Sequence, residues 1–286
     1  MKKIIIFIFL LLFCFTAYGT EEIKIRKKQA LEEANHDYCV QLLQIALDNT
    51  EKKYGKAIIK TVNLELTQGR SLEELAKGNY IDIDWAGTDI KREEELLPAR
   101  VPLFAGLLGY RVLVIRKSDK SKFDKINNVN DLKNLIVLQG THWPDSDILE
   151  ASGFNVFRVP KFENMYSMLE NKRVDYFLRS ISEAYGEVKA RKNSGLMVYD
   201  RIIIAYKFPM YFFVNKSNKK LAKRVEEGLR IAIDSGQFLK FMKSNSLTAP
   251  VFPLEKYKNS LFFEIKNPFL PKKTPINEKK LWIDFK

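Results

Sequence analysis

Two kinds of hydrophobic spacing alternate along most of the chain. Ile23-Lys24-Ile25-Arg26 alternates apolar and polar, the period of a half-buried strand. From residue 37 to residue 50, Val40, Leu43 and Leu47, flanked by Leu42 and Ala46, recur at helical spacing, with Asp37 as the expected N-cap and Tyr54-Gly55 as the stop. Residues 57–66 return to strand composition. Ser71 followed by Glu74 reads as a capping box opening a short helix that Gly78 closes. Ile81-Asp82-Ile83-Asp84-Trp85 then predicts a strand that turns at Ala86-Gly87-Thr88, and residues 110–116 predict another.

The same alternation is then repeated. Short helices are expected at residues 130–132, 147–151, 164–171 and 181–192, and strands at 135–138, 154–159, 174–178 and 197–205. Alternating strands and helices of these lengths imply parallel sheets covered on both faces, here as two α/β units in tandem. After Pro209 come a strand at 211–214 and a long helix with Leu221, Val225, Leu229 and Ile233 four apart, stopped by Gly236. Beyond Leu247 the pattern dissolves into prolines and aromatics, among them Phe262, Phe263, Phe269 and Trp282, which predicts an extended segment packed on the surface.

The N-terminus has a different character. Lys2 and Lys3 precede an unbroken apolar run over residues 4–15, and Ala17-Tyr18-Gly19 offers the small residues a signal peptidase reads. Residues 1–19 are expected to be a cleaved signal peptide and the mature chain to be periplasmic. The apolar run is shorter than the roughly 20 residues a membrane-spanning helix needs, and the bulky Phe13 before Cys14 disfavours a lipid anchor there. Cleavage leaves Cys39 as the sole thiol, so no internal disulfide is expected.

The order of short motifs resembles that of periplasmic solute-binding proteins of the family 3, amino-acid-transporter type. Leu72-Glu73-Glu74-Leu75-Ala76-Lys77-Gly78-Asn79-Tyr80-Ile81-Asp82 is similar to their "ALxxGxxD" segment, and Ala86-Gly87-Thr88 to the "AGMT" turn. Pro102-Leu103-Phe104 with Leu113-Val114-Ile115-Arg116-Lys117 resembles the "PY…VLVVRK" crossover. Asp131-Leu132-Lys133-Asn134 is similar to "DLKG", Gln139-Gly140-Thr141 to "xGT", and Asn171-Lys172-Arg173-Val174-Asp175 to "xGRVDA". The likeness covers roughly residues 35–245. It implies an α/β protein of the type II periplasmic-binding-protein fold, with two α/β lobes joined by two crossover hinge strands near 112–115 and 206–211. Lobe I would comprise residues 20–113, lobe II residues 114–209, and residues 210–286 would return to lobe I with a Pro/aromatic C-terminal extension. A small ligand would be captured in the cleft and presented to a membrane ABC importer or a membrane sensor.

Two positions depart from that pattern. The family's carboxylate-binding Arg follows the "AGMT" turn, and Arg92 stands a residue or two out of register. The family's ammonium-binding Asp is replaced by Ser180, with Arg179 beside it. A cation in place of an anion shifts the expected ligand from a free α-amino acid towards a small polar or acidic molecule. Loop position then nominates Trp85, Thr88 and Arg92 as ligand-binding, with Arg111 and Arg70 as weaker candidates, together with Thr141, His142, Trp143, Arg179 and Glu183. Trp85 and Trp143 are the pair that would sandwich a ring, the alternative for Trp85, at a strand end, being a place in the core.

Catalytic chemistry finds little footing. His36, His142 and Cys39 lack a zinc spacing, so neither metal nor cofactor is expected. No Gly-x-Ser-x-Gly, phosphate loop or His-Glu-x-x-His occurs. A binding protein is therefore expected, and an enzyme of dehydratase or hydrolase type on the same fold is the alternative. The 286-residue chain carries 48 Lys+Arg and 35 Asp+Glu, a net +13 that raises nucleic acid as a partner. The excess is uneven: residues 210–286 hold 16 basic and 7 acidic side chains, whereas residues 20–115 hold 14 and 16. With no nucleic-acid-binding signature beside it, the basic end reads as a solvated face or a docking surface for an anionic membrane or an acidic partner. A monomer is expected.

Overall fold

The computed structural model describes residues 19–28 and 34–285. The expected signal peptide lies outside the described residues, apart from Gly19. No helix among the described residues is long and apolar enough to cross a membrane.

Two α/β lobes follow from two groups of strands. In the first, β1 (Glu21–Arg26) runs parallel to β2 (Ala57–Val62), and β3 (Ile83–Gly87) and β4 (Leu96–Ala99) lie antiparallel on either side of β10 (Met210–Asn215). Asp82 knits the two pieces together: its N–H donates to Lys24 O at 2.9 Å, and its carboxylate accepts from Lys24 N at 2.7 Å. The second lobe has a six-stranded sheet in the order β11-β9-β5-β8-β6-β7. Its strands are β5 (Tyr110–Arg116), β6 (Ile136–Gly140), β7 (Asn155–Val159), β8 (Tyr176–Ser180), β9 (Leu196–Ala205) and β11 (Leu261–Glu264). The apolar run Val112–Ile115 is buried on both faces, as suits a strand between two neighbours.

Several boundaries differ from expectation for identifiable reasons. The helix Gln68–Lys77 begins a turn before the expected capping box, because Thr67 is the cap and accepts from Arg70 N. Ser71 therefore lies inside the helix, while Gly78 does close it in the left-handed conformation, φ 74°. The helix Ala34–Asn49 is already formed at Asp37, whose carboxylate pairs with Lys28 instead of capping. Residues 112–115, expected at the hinge, are paired to β8 and β9, so a boundary at 113/114 would cut a strand. The crossings are instead 100–109 and 206–209, held side by side by Tyr206 N–Gly109 O at 3.0 Å and Leu103 N–Met210 O at 2.9 Å. The C-terminal extension does not return wholly to lobe I, since β11 runs parallel to β9 in the second sheet.

Candidate functional site

The carboxyl ends of β3, β6 and β8 converge on one cavity of about 330 Å³ between the lobes, the crevice where open α/β sheets bind ligands. Two glycines shape it. A Cβ on Gly87 would enter the Phe208 ring, and one on Gly140 would come within 2.5 Å of the Trp143 indole. Both strands can therefore end with an aromatic ring folded over them. From the first lobe come Asn35, Gln68, Gly69 and Gly87; from the second come Thr141, His142, Trp143, Asp145, Phe162, Arg179, Glu183 and Glu187. Arg111, on the strand that follows a crossing, lies between.

The polar lining is a cluster of buried ions. Arg111, 2% exposed, reaches Asp145 at 2.5 Å and donates through Nε to the Tyr206 hydroxyl at 3.1 Å. That hydroxyl in turn donates to Asp145. Burial opposes the Arg111 charge, but Asp145, Tyr206 and Glu183 outweigh it and hold the guanidinium more firmly protonated than usual. Arg179 grips Glu187 with two bonds, 2.8 and 2.6 Å, and Tyr166 donates to the same carboxylate at 2.5 Å. The Arg179 guanidinium also lies 4.9 Å from the Trp143 ring centroid and 5.2 Å from that of Phe177. Glu183 sits between the two pairs, 3.1 Å from Arg179 and 4.0 Å from Arg111. Its other oxygen accepts from Asn35 Nδ2 of the first lobe at 3.2 Å. Burial pushes the Glu183 carboxyl above the ordinary glutamate range despite these neighbours.

Of the nine residues nominated from sequence, Arg111, Thr141, His142, Trp143, Arg179 and Glu183 line the cavity. Trp85 does not. It is 1% exposed, with Arg26 over its face at 4.9 Å and His36 against its edge at 5.2 Å, so the expected tryptophan sandwich is not formed. Thr88 is buried and donates to Glu93 at 2.9 Å. Arg92 reaches across the lobes instead, donating to Gly87 O at 2.5 Å and His142 O at 2.8 Å. Burial lowers its pKa from the usual arginine value, against Asp89. Arg70 pairs locally with Glu73 and Glu74. Ser180 is buried and bonded to Ser182, and Arg179 beside it is neutralised by Glu187, which removes the reason for expecting an acidic ligand.

Asp145, Glu187, Tyr206 and Asn35 escaped the sequence reading. Glu187 had a signal, four residues after Glu183 and eight after Arg179, on one face of the helix Ala184–Ala190 and its N-cap. Asp145 opens the helix Pro144–Ala151, where an acid suits the helix dipole, so its cavity role was hidden by a local one. Asn35 meets Glu183 across 148 positions and left no local trace.

No protein-family model matches the chain, and no curated protein matches it in sequence. Solved structures do match. An ancestral arginine-binding protein bound to arginine is 17% identical with a TM-score of 0.56, over 80% of this chain and 99% of its own. A putative L-cystine ABC transporter protein from Listeria monocytogenes is 20% identical with a TM-score of 0.56, over 81% and 98%. A histidine kinase sensor domain similar to periplasmic binding proteins is 14% identical with a TM-score of 0.56, over 79% and 96%. These neighbours each cover about four fifths of the chain, and the chain has the type II periplasmic-binding-protein fold, with divergent resemblance to its amino-acid-binding members.

Proposed function

We propose that this protein is an exported receptor that captures a small molecule between its lobes and presents it to a membrane importer or sensor. The observation that carries the reading is the interlobe cavity, about 330 Å³, within the range of small-molecule sites and walled by buried charged side chains from the second lobe and polar groups from the first. Buried ions held this far from solvent are costly unless they serve a site or a unique packing. The solved neighbours lend support, since they include an arginine-binding protein, a putative ABC transporter protein and a histidine kinase sensor domain. Export rests on the sequence of residues 1–19.

In this proposal Arg111, Thr141, His142, Trp143, Arg179 and Glu183 form the ligand site, and Arg92 acts indirectly as a tie between lobes. The crossings at 100–109 and 206–209 are the hinge. Of the three tryptophans, only Trp143 lines the cavity, which provides a native reporter. A thermal-shift screen of the mature chain against amino acids, amines, dicarboxylates and aromatic metabolites should raise the melting temperature with at least one class. That hit should also change the emission of Trp143, and Trp143→Phe should abolish the change. A library without any stabilising compound would count against a receptor. Recovery of the hit chemically altered after incubation would favour the enzyme alternative.

A further inference from the structure

The buried charges around the cavity do not balance. Arg111 has Asp145 and Arg179 has Glu187; just outside, Arg26 has Asp84 at 3.1 Å and Arg92 has Asp89 at 3.5 Å. Glu183, 4% exposed, is left over, because each guanidinium near it is bound more closely to another carboxylate. The next cations along the chain, Lys189 and Arg191, do not line the cavity, and Arg191 stacks 3.7 Å from the Tyr166 ring centroid and donates to the Glu187 carbonyl. At the exposed rim Lys161 and Glu163 carry opposite charges and add nothing to the balance. A second observation points the same way. Asn35 gives its amide nitrogen to Glu183, and its Oδ1, buried at the cavity wall, has no hydrogen-bond partner among the described residues. A surplus carboxylate and an orphan amide oxygen are both acceptors, and buried acceptors are stabilised by a donor.

We infer that the cleft takes a monocationic amine or guanidine without a carboxylate, its charged group seated against Glu183 and Asn35 Oδ1. A net charge of +1 cancels the surplus; a zwitterion leaves it, and a dicarboxylate deepens it. Among the described residues lining or bridging the cavity, a ligand carboxylate would also find no free guanidinium, since Arg92 is spent on Gly87 O and His142 O, and Arg111 and Arg179 on their acids. The raised pKa of Glu183 agrees, because a bound cation would favour its ionised form. Leu108, Met210 and Phe208 offer apolar wall for an alkyl chain. The inference rests on the receptor reading and narrows it.

A matched series of five-carbon probes tests it: pentylamine, ornithine, norvaline and glutarate, titrated calorimetrically into the mature chain. Pentylamine should bind at least about tenfold more tightly than each of the others. Glu183→Gln keeps the shape and the Asn35 bond, and it should weaken pentylamine at least about tenfold while leaving the melting temperature no lower. Tighter binding of ornithine would overturn the exclusion of a carboxylate, and tighter binding of norvaline or glutarate would overturn the cationic ligand; all three leave the receptor reading standing. Unchanged pentylamine affinity in Glu183→Gln, or no pentylamine binding by the parent, overturns the inference alone, because the broader screen tests the receptor separately.

Discussion

At the scale of single residues, the cleft is an arrangement of ion pairs whose members are hard to remove singly. Arg179 carries both Glu187 and Glu183 and is 6% exposed. Arg179→Met would strand two buried carboxylates and should cost about 3–5 kcal/mol; urea unfolding should show it, and adding Glu187→Gln should recover part of the loss. A fall in ligand affinity in Arg179→Met alone therefore reports the collapse of the wall together with any lost ligand contact. Glu183 makes the opposite prediction. Its carboxyl, facing Arg179, Glu187, Arg111 and Asp145, is raised by burial, so the folded state holds the proton more tightly than the unfolded chain. Its contribution is fully present below the ordinary value of about 4.3 and is lost as pH rises through the raised value. In Glu183→Gln that loss is absent. The melting temperature of the ligand-free variant should gain on the parent as pH climbs from about 4 towards 8. A constant difference across that range would mean that Glu183 titrates normally.

At the scale of elements, the helix Ala34–Asn49 packs on the helix Lys219–Asp234, and contact depends on Gly228, where a Cβ would run into the Ala46 carbonyl. Gly228→Ala raises helix propensity yet should destabilise by about 1–3 kcal/mol through overpacking, which differential scanning calorimetry would read as a fall of roughly 2–4 °C per kcal/mol. No change would mean the two helices part freely. The spacing of Leu221, Val225 and Leu229 made this helix legible, and all three are buried. The burial of β3 was less legible. Asp82 and Asp84 gave it an amphipathic pattern, but Asp84 is fully buried against Arg26 of β1, so Trp85 faces core and not cleft. That pairing spans 58 positions. β4 went unread because it contains Pro98, which is tolerated there because β4 pairs on one side only, with β10. Periodicity reports how one segment presents its faces; it does not report which distant ion will neutralise a polar one. The same limit explains the site. Six of nine nominated residues follow from strand-end position, while the carboxylates that neutralise Arg111 and Arg179 needed the fold to be seen.

At the scale of the whole molecule, the lobes are tied by more than the two crossings. Arg92 bridges them at His142 O, and the C-terminal segment passes over both. It pairs β11 with β9 in the second lobe, then sets Glu278 on Arg230 at 2.7 Å and Lys280 on Asp234 at 2.7 Å, both on a first-lobe helix. Beyond these ties Ile283 N donates to Ala105 O at 2.7 Å on a crossing, and the Phe285 ring lies 4.2 Å from that of Tyr110. The two ion pairs are partly exposed and contribute little, whereas the strand pairing and the aromatic cover are apolar and partly buried. The segment should therefore travel with the second lobe during any opening, its first-lobe end being the one that slips. Deleting residues 261–286 would uncover the edge of β9 with Ile202, Ile203 and Ile204, together with Tyr110 and Tyr257. An uncovered edge of that composition favours pairing with another chain. The shortened protein should self-associate on light scattering and melt at least about 5 °C lower, the change expected for losing a few kcal/mol at this size. Charge changes that break only Glu278–Arg230 and Lys280–Asp234 should leave its state of association that of the parent. A shortened chain that associates no more than the parent and melts with it would mean that the segment is an ornament on the two lobes and not part of their closure.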